Sequence, residues 1–376
     1  MSLTGGSSRQ RSPLMSAILP AASADDIAER LVQAMLGWAE INAVYLGDRL
    51  GWYRSLRADG PATADELAAR TQTSPRYARE WLEQQAITGI LSADDETNAA
   101  RRRYTLPAGA AETLTDEHSL AFAGPLARLA AAAGTQLPAL LEAYRTGGGV
   151  SWQQLGEDAR ESQAALNRPW FDRLPEAFAG VERVDAVLRR PGARAADVGM
   201  GGGWSSIALA QGYPDLRVDG FDVDAPSVAT ARENAEAAGV ADRVRFHLAD
   251  AGSLERAGTF DAVFAFECVH DMSQPVDVLR AMRRAVTDDG IVIVMDEAVG
   301  EHFGGPGGEF DPLMYAFSLF VCLPDGMSDQ PSAATGTVMR PGILRGYARD
   351  AGFADVTTLP IEGFSFFRFY DLLLRG

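Results

Sequence analysis

Asp197-Val198-Gly199-Met200-Gly201-Gly202-Gly203-Trp204-Ser205 decides how this chain is read. Ala195 to Val198 has the length and character of a short buried strand, and Ser205 to Gly212 reads as a helix. Glycines between a strand and a helix permit a sharp turn and close backbone approach, and the first amides of the helix point at whatever is bound. A dinucleotide fingerprint fits poorly. Begun at Gly199 it needs a small residue where Trp204 stands, and begun at Gly201 it lands on Ser206. The leading acid, Asp197, sits badly beside a pyrophosphate and well beside a ligand bearing an ammonium and a sulfonium.

Outward from this loop, short apolar runs alternate with helical ones. Arg217 to Asp222, Val244 to Leu248, Asp261 to Phe266 and Ile291 to Met295 are strand-like, and helices are expected over Pro226 to Gly239 and Pro275 to Val286. This alternation predicts an α/β, doubly wound parallel sheet. After a helix at Pro341 to Ala351, the runs Asp355 to Leu359 and Phe364 to Leu373 have no crossover helix between them and should pair as a terminal hairpin. In such sheets ligands bind at the carboxyl ends of the strands where the strand order reverses. Asp222 ends the second strand 19 residues after Gly203, a spacing that suits a ribose, and Asp250 ends the third, placed to accept from an adenine amino group. Each acid taken singly reads equally well as a helix cap. Three in register with the glycine loop argue for a cofactor.

The N-terminal half is different. Residues 1–22 lack periodicity and are expected to form a disordered leader. Ile27, Leu31, Met35, Trp38, Ile41, Val44 and Tyr45 recur at helical steps in a long segment whose apolar face needs a partner. Thr63-Ala64-Asp65-Glu66 is a capping box, and Ser74-Pro75 opens a second short helix carrying Tyr77, Trp81, Leu82 and Ile87 inward. Gly89-Ile90-Leu91 and Arg102 to Leu106 read as the two strands of a wing. Domains are therefore expected at 23–106 (winged helix, dimerisation), 107–190 (helical connector to the substrate cavity) and 191–376 (cofactor domain). From Pro61 to Tyr104 six arginines face seven acids, which weighs against DNA binding.

Composition narrows the chemistry. The net charge of -17 disfavours nucleic acid and anionic membranes as partners. All 34 basic residues are arginine, so Schiff-base chemistry through a lysine is excluded. No run is long enough to span a membrane and no secretory signal is evident, which reads as a cytoplasmic protein. Cys268 and Cys322 do not make a disulfide framework, and the scattered histidines suggest no metal site.

With these motifs assembled, the sequence resembles the class I S-adenosylmethionine-dependent methyltransferases. Asp197 to Gly203 is similar to their first motif, Gly220-Phe221-Asp222 to their ribose acid, Asp250-Ala251 to their adenine-side motif and Phe260-Asp261-Ala262-Val263 to the start of their fourth strand. From about 25 to 376 the chain resembles winged-helix small-molecule O-methyltransferases. It is closer still to an actinobacterial group sharing Gly147-Gly148-Gly149-Val150-x-Trp152, Gly156-x-Asp158 and Gln163-x-x-x-Asn167, some members of which are labelled transcriptional regulators. The resemblance implies a Rossmann-like seven-stranded sheet of order 3-2-1-4-5-7-6 with the last strand antiparallel. It also implies S-adenosylmethionine as cofactor, S-adenosylhomocysteine as product and a homodimer that exchanges N-terminal helices. Implied cofactor residues are Asp197, Gly199, Gly201, Gly203, Trp204, Ser205, Asp222, Val223, Asp250, Ala251, Phe266 and Glu267.

Methyl transfer is an in-line displacement at a carbon already activated by the sulfonium, so the protein supplies alignment and, for a hydroxyl acceptor, a base. Glu267-Cys268-Val269-His270-Asp271 resembles the His-Asp pair of the O-methyltransferases, which makes His270 the candidate base, although Met272 stands where those enzymes usually have Trp. An orienting or structural role for His270 is the alternative, with Asp296 or Glu297 as its orienting partner. Candidates to line the acceptor cavity are Trp152, Asn167, Trp170, Phe171, His302, Met314 and Phe317, with His302 in a glycine-rich stretch suited to a lid. The aromatic and methionine content suits a small, mostly apolar acceptor. Rival readings are N- or C-methylation by proximity, a ligand-responsive regulator, and use of the sulfonium for electrostatic catalysis alone.

Overall fold

The computed structural model describes residues 22–253, 258–305 and 310–375. The expected leader lies, apart from Ala22, outside the described residues, as does part of the glycine-rich stretch after His302. Strands are numbered in chain order: β1 (Ser92–Ala93), β2 (Tyr104–Thr105), β3 (Arg194–Val198), β4 (Arg217–Asp222), β5 (Val244–Leu248), β6 (Phe260–Phe266), β7 (Val286–Glu297), β8 (Asp355–Thr358) and β9 (Phe367–Leu373).

The seven C-terminal strands form one sheet of order β5-β4-β3-β6-β7-β9-β8. This is the expected order, with β9 antiparallel to both its neighbours. Alternate residues of each strand face opposite layers. Ala195, Phe264 and Ile293 pack with the helices Trp204–Gly212, Ala225–Ala237 and Glu182–Leu188. Ala196, Val263 and Val294 pack on the other side with Pro275–Ala285 and Pro341–Ala351. The sheet's apolar cluster also takes in Phe171, Leu174 and Phe178, from before the expected boundary at 191.

One departure bears on the site. β7 runs two residues past the expected Met295, because Asp296 and Glu297 pair with Arg368 and Phe367 of β9. The acids interrupt the apolar pattern, but the neighbouring strand satisfies their backbone and carries both into the interior, 1 % and 5 % exposed.

The N-terminal helix Ala24–Arg49 opens on a Ser23/Asp26 capping box, and the Thr63/Glu66 box opens Ala64–Thr71. The helix Pro75–Ile87 buries Ala78, Trp81, Leu82 and Gln85. Tyr77 and Ile87, expected inside, are 74 % and 87 % exposed, because the buried stripe runs along 78, 81, 82 and 85 and leaves them off it. The wing is shorter than expected and starts later. Gly89 is left-handed (φ 83°), the Ile90 and Leu91 amides donate back to the Gln85 carbonyl, and pairing begins only at Ser92 with Thr105. The connecting helix Trp152–Phe171 kinks at Gly156, beyond which Asp158 accepts from Tyr45 Oη and pairs with Arg49, fastening this helix to the N-terminal one.

Candidate active site

The strand order reverses between β3 and β6, and a cavity of about 1520 Å³ opens at the carboxyl ends of these strands. The end beside the glycine loop is lined by Gly199, Gly201, Trp204, Ser205, Asp222, Val223, Asp250, Ala251 and Phe266, and Glu267 lines the same cavity. The Asp222 carboxylate accepts from the Gly201 amide and the Asp224 amide, both at 2.8 Å, so the acid that ends β4 also fixes the glycine loop. Burial raises the Asp222 pKa.

Two expected cofactor residues fall behind the wall. Asp197 is fully buried and absent from the cavity lining. Its Oδ2 accepts from the Ser205 and Ser206 hydroxyls, each at 2.6 Å, which clamps the helix Trp204–Gly212 to β3. Burial pushes its carboxyl up to about 6. Gly203 is left-handed (φ 78°), and a Cβ there would lie 2.7 Å from Phe246 and 2.9 Å from Ala231. Its glycine is needed for packing as well as for the turn.

At the other end Trp152, Asn167, Trp170, Phe171, Met314 and Phe317 all line the cavity, brought together from the connector and the segment after β7. His302 does not. It is exposed, and its carbonyl accepts from Arg340.

His270 lies between the two ends on the cavity wall, 2 % exposed. Its Nδ1 is 2.9 Å from Asp296 Oδ1 and 3.1 Å from Glu297 Oε2, and its Nε2 is 3.1 Å from Asp271 Oδ1. The Nδ1 contact with Asp296 is a hydrogen bond, whereas the Asp271 oxygen lacks hydrogen-bond geometry. Nδ1 is thus held by a hydrogen bond, and Nε2 by a charge contact with Asp271 alone. Burial alone would depress the imidazolium, but Asp271, Asp296 and Glu297 outweigh it and hold the His270 pKa well above that of free imidazole. Burial would raise Asp296, and the His270 charge overcomes it and lowers that pKa, while in Glu297 burial prevails. The sequence offered Asp296 or Glu297 as the group that orients His270, and the fold brings both to it. The three place ligand atoms within 4.8 Å of one another, a set that suits a shared proton or a cation.

Asp325 escaped the sequence reading. It lines the cavity, accepts from the Trp152 amide at 2.6 Å, and is pushed up to about 7 by burial. Only the contact between the Gly147–Trp152 turn and the segment after β7 reveals it, and no local pattern does.

The comparisons agree with this geometry. A family model described as "Methyltransferase domain" matches residues 195–290, and one described as "Rv2258c-like winged HTH domain" matches residues 42–116. A ubiquinone biosynthesis O-methyltransferase of Pseudomonas paraeruginosa is 29% identical over 195 residues, 50% of this chain and 79% of that protein. Among solved structures, a putative O-methyltransferase of Nostoc punctiforme superposes with a TM-score of 0.69 at 19% identity, covering 93% of this chain and 99% of the other. The mitomycin 7-O-methyltransferase MmcR gives 0.68 at 22%, covering 93% and 98%. The chain is an S-adenosylmethionine-dependent methyltransferase. More narrowly, it joins a Rossmann-like methyltransferase domain to an N-terminal winged-helix domain, with small-molecule O-methyltransferases as its structural neighbours.

Proposed function

We propose that the protein transfers a methyl group to an oxygen of a small acceptor held beneath Trp152, Trp170, Met314 and Phe317, with His270 as general base. The observation that carries this reading is the buried imidazole on the cavity wall, with Nδ1 hydrogen-bonded to Asp296 and Nε2 facing Asp271 without a hydrogen bond. Asp222, Asp250 and the amides of the glycine loop are the groups that would hold the cofactor, which supplies the activated methyl when bound. Asp296 fixes the tautomer that leaves Nε2 to take the hydroxyl proton, and the aromatic walls orient the acceptor and exclude water.

Because its carboxylate neighbours hold the His270 pKa well above that of free imidazole, the base form grows as pH rises through that elevated range. For phenolic probes and methyl-labelled cofactor, kcat/KM is expected to climb as pH rises above the ordinary imidazole range, with the climb lost in His270→Gln. A flat profile together with an unimpaired variant would sink the base assignment.

The relatives named as O-methyltransferases support oxygen as the methylated atom. The helix Ala24–Arg49 leaves Leu31, Met35 and Trp38 about two-thirds exposed, a face suited to a second copy of the chain, which we place in the cytoplasm. A regulator reading is less well supported, since Arg76 pairs with Glu80, Arg102 with Glu83 and Arg103 with Glu66, neutralising the charges a DNA backbone would meet.

A further inference from the structure

The acceptor end of the cavity carries an unbalanced charge. Glu267, Asp271, Glu297 and Asp325 line it beside His270, and the one arginine among the described lining residues, Arg160, lies 3.7 Å from Asp224. Glu267 is the most unusual of these acids. It follows β6 directly in a left-handed conformation (φ 51°), a backbone state that costs a non-glycine residue about 1–3 kcal/mol and calls for a local cause. The Glu267 amide donates to Met295 at 2.8 Å, which holds the turn at the end of the strand. Oε2 of its carboxylate is buried with no hydrogen-bond partner. Glu297, 5 % exposed, likewise has an Oε2 without a hydrogen bond, although His270 lies 3.1 Å away. A buried acceptor left without a donor costs on the order of 1–3 kcal/mol, which a ligand that brings the donor recovers.

The sequence reading assigned Glu267 to the cofactor. Its surroundings are those of the acceptor instead: Asn167 lines the same cavity, and the charges of His270, Asp296 and Asp271 act on its carboxyl.

We propose that Glu267 receives a protonated amine of the acceptor, so that the substrates are small apolar bodies carrying a cationic nitrogen, not neutral ones. This rests on the methyltransferase reading above and narrows its substrate class. Burial holds the Glu267 carboxyl up at about 8, with His270 and Asn167 opposing it and Asp296 and Asp271 adding to it. An arriving ammonium therefore displaces the carboxyl proton to the buffer, and binding is accompanied by proton release.

The test is calorimetric, with S-adenosylhomocysteine present and matched probes that differ by the amine: tyramine against 4-ethylphenol, and tryptamine against 3-ethylindole. The amine of each pair is expected to bind at least about tenfold tighter, as a charge-assisted hydrogen bond implies. Repeating the titration in buffers of different ionisation enthalpy should show a proton released. Glu267→Gln should erase both the preference and the release, while Glu267→Asp, which keeps the charge, retains the preference. Equal or tighter binding of the neutral probes, silence from both amines, or a preference that survives in Glu267→Gln overturns the proposal. So does a loss of S-adenosylhomocysteine affinity confined to Glu267→Gln, which would return the residue to the cofactor. Failure of wild-type protein to bind S-adenosylhomocysteine would instead break the reading on which the proposal stands, and the proposal with it.

Discussion

At the end of the cavity proposed to hold the cofactor, one main-chain loop, residues 199–203, is braced by the Asp222 carboxylate, and Asp197 beneath it anchors the helix that follows. At the acceptor end the wall is side chains from segments far apart in sequence: Asn167 from the connector, Glu267 and His270 after β6, Glu297 at the end of β7, and Asp325. The first is a rigid cradle whose shape follows from strand register and glycine placement. The second concentrates buried charge, where each group's protonation depends on its neighbours. One end therefore fixes what is bound in a single geometry, and the other sets the protonation on which chemistry depends.

That contrast can be broken from either side. The largest effect is expected at the charged end, where His270→Gln should lower kcat/KM toward a phenolic acceptor by about 10²–10⁴ while leaving S-adenosylhomocysteine affinity within about twofold. An equal loss of both would show that the two ends are not separable. Next comes Gly203→Val, which forces a branched side chain into Phe246 and Ala231 at a positive φ. A loss of about 2–4 kcal/mol of stability is expected in denaturant melts, and a neutral result would remove the packing role given to Gly203.

A smaller change is expected from Asp296→Asn. Removing one of the carboxylates that raise the His270 pKa should move the rising limb of the pH profile to lower pH. A limb that stays in place would deny Asp296 that influence. The last is a stability effect at Asp197, spread over a pH range. Its folded pKa of about 6 lies above the ordinary 3.8, so the folded state holds a proton that the unfolded chain has lost between those values. Stability from this group is present below the window and falls as pH rises through it, by up to roughly 3 kcal/mol. Asp197→Asn should flatten that slope in urea titrations between about pH 4 and about pH 6, and an unchanged slope would place the shift elsewhere.

The same contrast explains what could be read from sequence. Parallel strands read as apolar runs, so the alternation of strands and helices was legible from the residues, the sheet order followed from the resemblance, and Asp222 and Asp250 were found by their spacing from the glycine loop and line the cavity. Asp197 and Gly203 were found for the right loop but placed in contact with a ligand. Their work under the loop depends on Ser205, Ser206 and Phe246, which no spacing rule connects. The His270 cluster was half legible, since the pair with Asp271 is local. Asp296 and Glu297 join it only because β9 pairs with the last residues of β7. Asp325 and the left-handed turn at Glu267 carry no local signal, and Tyr77 and Ile87 misled because an apolar residue at nearly helical spacing can fall outside the buried stripe.

The measurement that tests the central claim most directly is calorimetric titration of the wild-type protein and Asp222→Ala with S-adenosylhomocysteine, with NAD as control. The account predicts micromolar binding to wild type, no binding of NAD, and about 10- to 100-fold weaker binding to the variant. Binding of NAD, or equal affinity of folded wild type and variant for S-adenosylhomocysteine, would contradict it.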